Sequence, residues 1–145
     1  AIHFKKEKKI VHTVNYTLKQ RREGSAARSG FNSSDVIYLL MPDRFANGNP
    51  NNDSDPSTIE KGNRSLPGGR HGGDLQGIAN HLDYIHSLGA TTVWLTPFQE
   101  MNDDRYSYHG YGTSNDFEAD ARYTSGKKGS EENNKQYKDF TYSKV

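Results

Sequence analysis

Cysteine is absent from the 145 residues, so disulfides and thiolate metal sites are excluded. An excess of one charge is lacking too: 19 Lys and Arg stand against 18 Asp and Glu, for a formal net charge of +1. The basic surplus of a nucleic-acid surface is therefore missing. Apolar residues are scarce at 31%, against roughly 45–50% (glycine included) in ordinary globular domains. No apolar run approaches the ~20 residues that a membrane helix needs. The opening Ala1-Ile2-His3-Phe4-Lys5-Lys6 has no apolar signal-peptide core, as a mature or excised chain would also lack. The apolar residues that are present gather at 36–41, 75–98 and, less densely, 106–123. That distribution reads as part of a larger core rather than a complete one.

Between these clusters the pattern predicts an order of elements. Val11 to Leu18 is β-branched and aromatic with rough alternation, which predicts a strand, and Lys19 to Gly30 reads as a linker. Val36 to Met41 is a nearly continuous apolar run stopped by Pro42, as in a strand buried on both faces of a parallel sheet. A long Pro- and Gly-rich loop follows over 42–73, and loops of that length in compact domains are usually functional. Leu75, Ile78, Ala79, Leu82, Ile85 and Leu88 recur at helical spacing, with Asp74 placed as N-cap and Gly89 as C-terminal cap. Ala90 to Leu95 returns to strand character, so strand, helix and strand imply a parallel pair with a right-handed crossover. Glu131 to Phe140 predicts the start of a second helix.

Two loop motifs carry chemistry. Asn47-Gly48-Asn49-Pro50-Asn51-Asn52-Asp53, with Gly72-Gly73-Asp74 further on, offers hard oxygen donors of the kind Ca²⁺ takes, 6–8 at about 2.3–2.6 Å. The alternative is a solvated Asn/Asp turn cluster; an EF-hand is a poor fit because its required glycine falls on Ser54. Tyr106-Ser107-Tyr108-His109-Gly110-Tyr111 combines aromatic faces with an imidazole, a mixture suited to sugars, or else a loop whose tyrosines simply pack. Gly72-Gly73-Asp74 matches neither phosphate-binding glycine motif. His81 and His86 stand five apart, not the four that sets two metal ligands on one helix face.

Taken together, DVIYLLMPDRFANGNPNND (35–53), GGRHGGDLQGIANHLDYIHSLGATTVWLTP (68–97) and YSYHGY (106–111) resemble the α-amylase family, glycoside hydrolase family 13. The likeness is greatest to its neopullulanase-like and α-amylase-like members of the Bacteroides starch-utilisation type. The resemblance covers residues 31–123 well and implies an α/β fold, a (β/α)8 TIM barrel, of which a complete copy needs ~250 residues. On that reading 31–145 is the N-terminal part of the barrel, about two βα units, and 1–30 is the last strand of a preceding β-sandwich domain plus a linker. The resemblance implies Ca²⁺ held by Asn47, Asn49, Asn52, Asp53, the Gly72 carbonyl and Asp74, in a stabilising rather than chemical role. It also implies that Tyr111 stacks on the sugar beside the scissile bond and that His109 contacts the same sugar.

The implied activity is retaining hydrolysis of an α-glucan such as starch, maltodextrin or pullulan. The family's catalytic Asp, Glu and second Asp come later in sequence than Val145, so this stretch is expected to contain no catalytic residue. The alternative is a non-catalytic fragment with at most calcium or weak glucan binding. The expected partners are an α-glucan and the remainder of the barrel if another chain supplies it, with a periplasmic or envelope location implied by resemblance. The sequence departs from the family pattern at Asn47, where Asp is usual, at Asn115-Asp116, and at Tyr123-Thr124, where Phe-Gly is familiar.

Overall fold

The computed structural model describes residues 1–27 and 30–124, so the helix expected from Glu131 lies outside the described residues. The chain divides into two compact units, Ala1–Asn32 and Ser33–Val145.

In the first unit, β1 (Ile2–Lys6) and β2 (Lys9–Val14) form an antiparallel hairpin with a bulge at Phe4/Lys5. The strand expected over 11–18 is thus shorter and shifted, and it has a partner the sequence did not announce. The two-residue turn places Glu7 and Lys8 at φ 49° and 69°. Such a turn ordinarily carries Asn or Gly, and its absence hid the hairpin. Ile2, Phe4, Ile10 and Val11 are all exposed.

The second unit starts with β3 (Ile37–Leu40), then α1 (Pro42–Phe45), a one-turn helix with proline at its start. A long polar loop leads to α2 (Leu75–Ala79) and α3 (Leu82–Ser87), and β4 (Thr92–Leu95) returns beside β3. The β3–β4 pair is parallel, from Ile37↔Thr92 to Leu40↔Leu95, which gives the strand–helix–strand order that the apolar spacing predicts. The continuous helix expected over 75–88 is broken. The His81 ring approaches the Gly77 carbonyl at 2.7 Å, and the His81 N–H goes to Ile78 O instead, so the i→i+4 ladder is interrupted at that turn. Asp74 caps α2 by accepting the Gly77 N–H, and Gly89 at φ +82° ends α3.

Leu40, Leu75, Ile78, Ile85, Ala90 and Tyr123 form the core, with Tyr38, Phe45, Val93 and Leu95 packed against it. The opposite face of the strands is open: Ile37, Leu39 and Trp94 are 44%, 60% and 60% exposed. The expectation of β3 buried on both faces is therefore corrected. Side chains alternate across a strand, helices cover one face only, and among the described residues β3 pairs with β4 alone. Beyond β4 an irregular antiparallel hairpin, β5 (Gln99–Met101) with β6 (Thr113–Ala119), brackets the aromatic loop.

Candidate functional site

The loop after α1 folds around one carboxylate. Asp74 is fully buried. Its Oδ1 accepts the Gly77 N–H at 2.6 Å and the Gly48 N–H at 3.0 Å. Its Oδ2 accepts the Asn49 N–H at 2.9 Å and Asn52 Nδ2 at 3.2 Å. One side chain thereby fastens the 47–53 turn to the start of α2. Across the turn, Asn47 Nδ2 donates to Asp53 Oδ1 at 2.7 Å. Gly72, at φ +85°, brings its backbone against both: a Cβ there would lie 2.6 Å from Asp53 Oδ1 and 2.8 Å from Asn47 Nδ2. Asn49 Oδ1 accepts the Asn51 N–H at 3.2 Å and shapes the turn.

All six residues singled out as metal ligands, Asn47, Asn49, Asn52, Asp53, Gly72 and Asp74, thus meet at one place. Their donor capacity is uneven. Asp74 already accepts four N–H groups, close to the capacity of a carboxylate. Asn47 Oδ1 and Asn52 Oδ1, in contrast, are buried without a hydrogen-bond partner. An orphaned buried acceptor costs about 1–3 kcal/mol, and two such oxygens beside the Asp53 carboxylate fit a cation or an ordered water. Among the described residues no three His, Cys, Asp or Glu side chains form a metal-holding group. The donors here are amide, carbonyl and carboxylate oxygens, which fit a hard ion such as Ca²⁺ rather than a transition metal.

The aromatic loop is built on different principles. Gly110 sits at φ +85° against the Pro97 carbonyl, where any Cβ would collide with it. This contact draws 106–111 across the chain just past the carboxyl end of β4. Tyr111 is 68% exposed there. His109 Nδ1 accepts the Tyr111 N–H at 2.9 Å, so the neutral ring carries its proton on Nε2 and presents a donor. The two rings lie 5.9 Å apart, tilted by 34°. Tyr106 takes a left-handed φ of 60°, and the Glu60 carboxylate holds that turn by accepting the Tyr106 and Ser107 N–H groups at 3.2 and 2.7 Å. Glu60, Leu66, Pro67, Gly68, Arg105 and Tyr106 line an open cleft of about 360 Å³ beside it.

Buried ions that the sequence reading did not single out knit the two loops together. Arg122 grips Asp120 through Nε at 2.9 Å and Nη2 at 2.6 Å, and also donates to the Met101 and Glu60 carbonyls at 2.7 and 2.9 Å. Arg70 reaches Ser107 O at 3.3 Å, lies 3.8 Å from Asp43, and stacks on Tyr123 at 4.5 Å. Asp43 in turn accepts the His71 and Gly72 N–H groups at 2.9 and 3.2 Å. Burial opposes the charge on Arg70, yet Tyr123, Asp120 and Asp43 around it hold its pKa above the ordinary guanidinium value. Burial pushes the Tyr123 phenol up to about 12, with Arg70 pulling the other way. The only sequence signals for these residues are the Arg between paired glycines in Gly68-Gly69-Arg70-His71-Gly72-Gly73 and the Asp120-Ala121-Arg122 spacing.

Residues 39–136 match the family model for the α-amylase catalytic domain. A β/α-amylase of Paenibacillus polymyxa is 47% identical over 81 residues, covering 56% of this chain and 6% of that protein. The periplasmic α-amylase of Escherichia coli K12 is 36% identical over 89 residues, covering 54% of this chain and 13% of that one. Among solved structures, an Anoxybacillus α-amylase superposes with a TM-score of 0.53 at 39% identity, over 62% of this chain and 18% of that chain. A three-domain cyclomaltodextrin glucanotransferase gives 0.55 at 29% identity, over 63% of this chain and 21% of that chain. The chain belongs to the α-amylase family, and it spans between 6% and 21% of the length of these four relatives.

Proposed function

We propose that this chain forms the first two βα units of the catalytic barrel of an α-glucan hydrolase of the amylase or neopullulanase type. The observation that carries the reading is the Gly110–Pro97 contact, which sets His109 and Tyr111 beyond the carboxyl end of β4, the face on which barrel enzymes build their sites. In this reading β3 and β4 are barrel strands 1 and 2, Ile37, Leu39 and Trp94 face the barrel interior, and the β1–β2 hairpin closes a preceding β domain. The Tyr111 ring stacks on a pyranose face, and His109 Nε2–H donates to a hydroxyl of the same sugar.

The buried carboxylates Asp43, Asp74 and Asp120 serve other ends. Hydrolysis with retention needs two carboxyl groups about 5–5.5 Å apart across the bond. Asp43, Asp74 and Asp120 are each buried and consumed by backbone or arginine donors. By resemblance to the family the nucleophile and the acid/base belong to later parts of the barrel, so that this chain alone binds glucan without cutting it. Asn47, Asn49, Asn52, Asp53, the Gly72 carbonyl and Asp74 would hold Ca²⁺, the unpartnered Asn47 and Asn52 Oδ1 atoms being the oxygens freest to meet it. The bound ion stabilises the loop against the start of α2 and takes no part in bond cleavage. Asn47 in place of Asp removes one negative charge and lowers the affinity. The periplasmic relative is the ground for proposing a periplasmic or envelope location.

The test is titration of the chain with maltotriose by heteronuclear NMR, alongside a reducing-sugar assay on starch. Shifts centred on His109 and Tyr111 without sugar release are expected, and co-expression with the remaining barrel segments restores release. Shifts elsewhere, or none, would remove the sugar-contact assignment. Melting with CaCl2 and with EGTA reports on the metal; identical curves and no bound calcium would remove that assignment independently.

A further inference from the structure

Arg44 makes contacts that the proposed chemistry does not account for. Its Nη1 donates to the Asp43 carboxylate and to Gly69 O at 2.9 Å, and its Nη2 donates to Pro67 O at 2.8 Å. The guanidinium lies over the Tyr108 ring, 4.0 Å from its centroid. Tyr108 meets His109 edge to face at 5.5 Å and 72°. His109 in turn fixes the Tyr111 N–H. The Tyr108 backbone is held separately by the Tyr123 hydroxyl, which donates to its carbonyl at 3.1 Å. The Tyr108 ring is thus sandwiched between the Arg44 guanidinium on its face and the His109 imidazole against it.

We infer that Arg44 is a positioning residue that orients the His109 imidazole and the Tyr111 backbone through the Tyr108 ring, and so couples the 66–72 turn to sugar recognition. The inference deepens the reading of His109 and Tyr111 as the sugar-contacting pair and rests on it only for its consequence in binding. The contact set explains why the residue is arginine. A planar guanidinium lays its face on a ring while its edge N–H groups point outward to several acceptors, a division of tasks that a compact lysine ammonium does not match in geometry. Asp43 has further partners in the His71 and Gly72 N–H groups and in Arg70 at 3.8 Å. A lysine at 44 therefore leaves that carboxylate compensated, and the fold should survive.

The experiment compares the full chain with Arg44→Lys by NMR of the histidine side chains, with His109 identified by the signals lost in His109→Gln. The native chain should show His109 as the Nε2–H tautomer. In Arg44→Lys its ring signals should move to averaged-tautomer values, and Tyr111 amide exchange should quicken at least tenfold. The Gly77 amide, bonded to Asp74, serves as the control and should not change. Tyr108→Leu keeps the hydrogen bonds of Arg44 and removes only the ring, so it should reproduce the same spectrum and guards against misfolding of the lysine variant. Maltotriose affinity should fall about tenfold in both variants. Native-like His109 signals and Tyr111 exchange in a folded Arg44→Lys chain would overturn the inference. If the native chain binds no maltotriose, the sugar reading falls, while the His109 spectrum still decides the role of Arg44.

Discussion

Strands β3 and β4 and the loops that flank them distribute burial in opposite ways. The strands leave Ile37, Leu39 and Trp94 exposed, whereas the loops bury Arg70, Asp74, Asp120 and Arg122 to 1% or less. Regular elements usually hide and loops usually face water. The inversion follows from how each region satisfies itself. A strand needs neighbours on both faces, and among the described residues β3 and β4 are covered on one face only. The loops close on one another across the described residues, because a few charged side chains, Asp74 to the 48–52 turn and Arg122 to the Glu60 carbonyl among them, absorb the backbone N–H and C=O groups that a loop would otherwise leave unpaired. The loop shell around the proposed sugar and metal sites is thus largely self-sufficient, and the apolar strand face is not.

That contrast can be broken experimentally, most severely at Asp74. Asp74→Ala strands four donors around one buried point and should cost about 4 kcal/mol in urea unfolding, if a cooperative transition survives at all. A loss under 1 kcal/mol would mean that the loop does not depend on its own polar contacts. Alkaline pH strikes the same shell more gently. The folded Tyr123 pKa of about 12 lies above its ordinary value of 10.0, so its contribution is intact below pH 10 and drains away between pH 10 and 12. Roughly 3 kcal/mol should be lost across that window, and Tyr123→Phe, measured over the same range, should lack this part of the loss.

A sign change sharpens the comparison further. Without calcium, Asn47→Asp removes the donor to Asp53 and adds a like charge, which should destabilise by about 1 kcal/mol; with calcium it should raise the melting temperature above that of the native chain. The smallest effect belongs to the strands. Trp94→Ser on the open face should shift urea stability by less than about 0.5 kcal/mol, and light scattering should show less self-association.

What was legible in the sequence follows the same division. Apolar spacing identifies β3, the helical region and β4, because those elements share one covered face. The Asp74 cap and the Gly89 stop are equally readable, since a single residue makes each. The break between α2 and α3 was not, because it depends on where one histidine ring points. The β5–β6 hairpin also escaped notice. Its register shifts twice within three residues, and it is held by side chains such as Asp120, which takes the Met101 N–H at 3.3 Å. The residues of the oxygen-rich turn and of the aromatic loop were visible as types in a pattern. The arginines that bind the two loops were not, because an arginine in a loop is ordinarily solvated and only the folded neighbourhood reveals the carbonyls it serves.

Gly110 has a consequence for anyone who wishes to retune this surface. Its α-carbon rests where no side chain can stand, so position 110 offers no route to a wider or narrower grip. Variation must enter through the residues around it, and two of those are yoked to a partner: Tyr111 to the imidazole of His109, Tyr108 to the guanidinium of Arg44 in α1. A library that randomises 108, 109 and 111 while leaving 44 alone would discard most of its members for want of a matching counterpart.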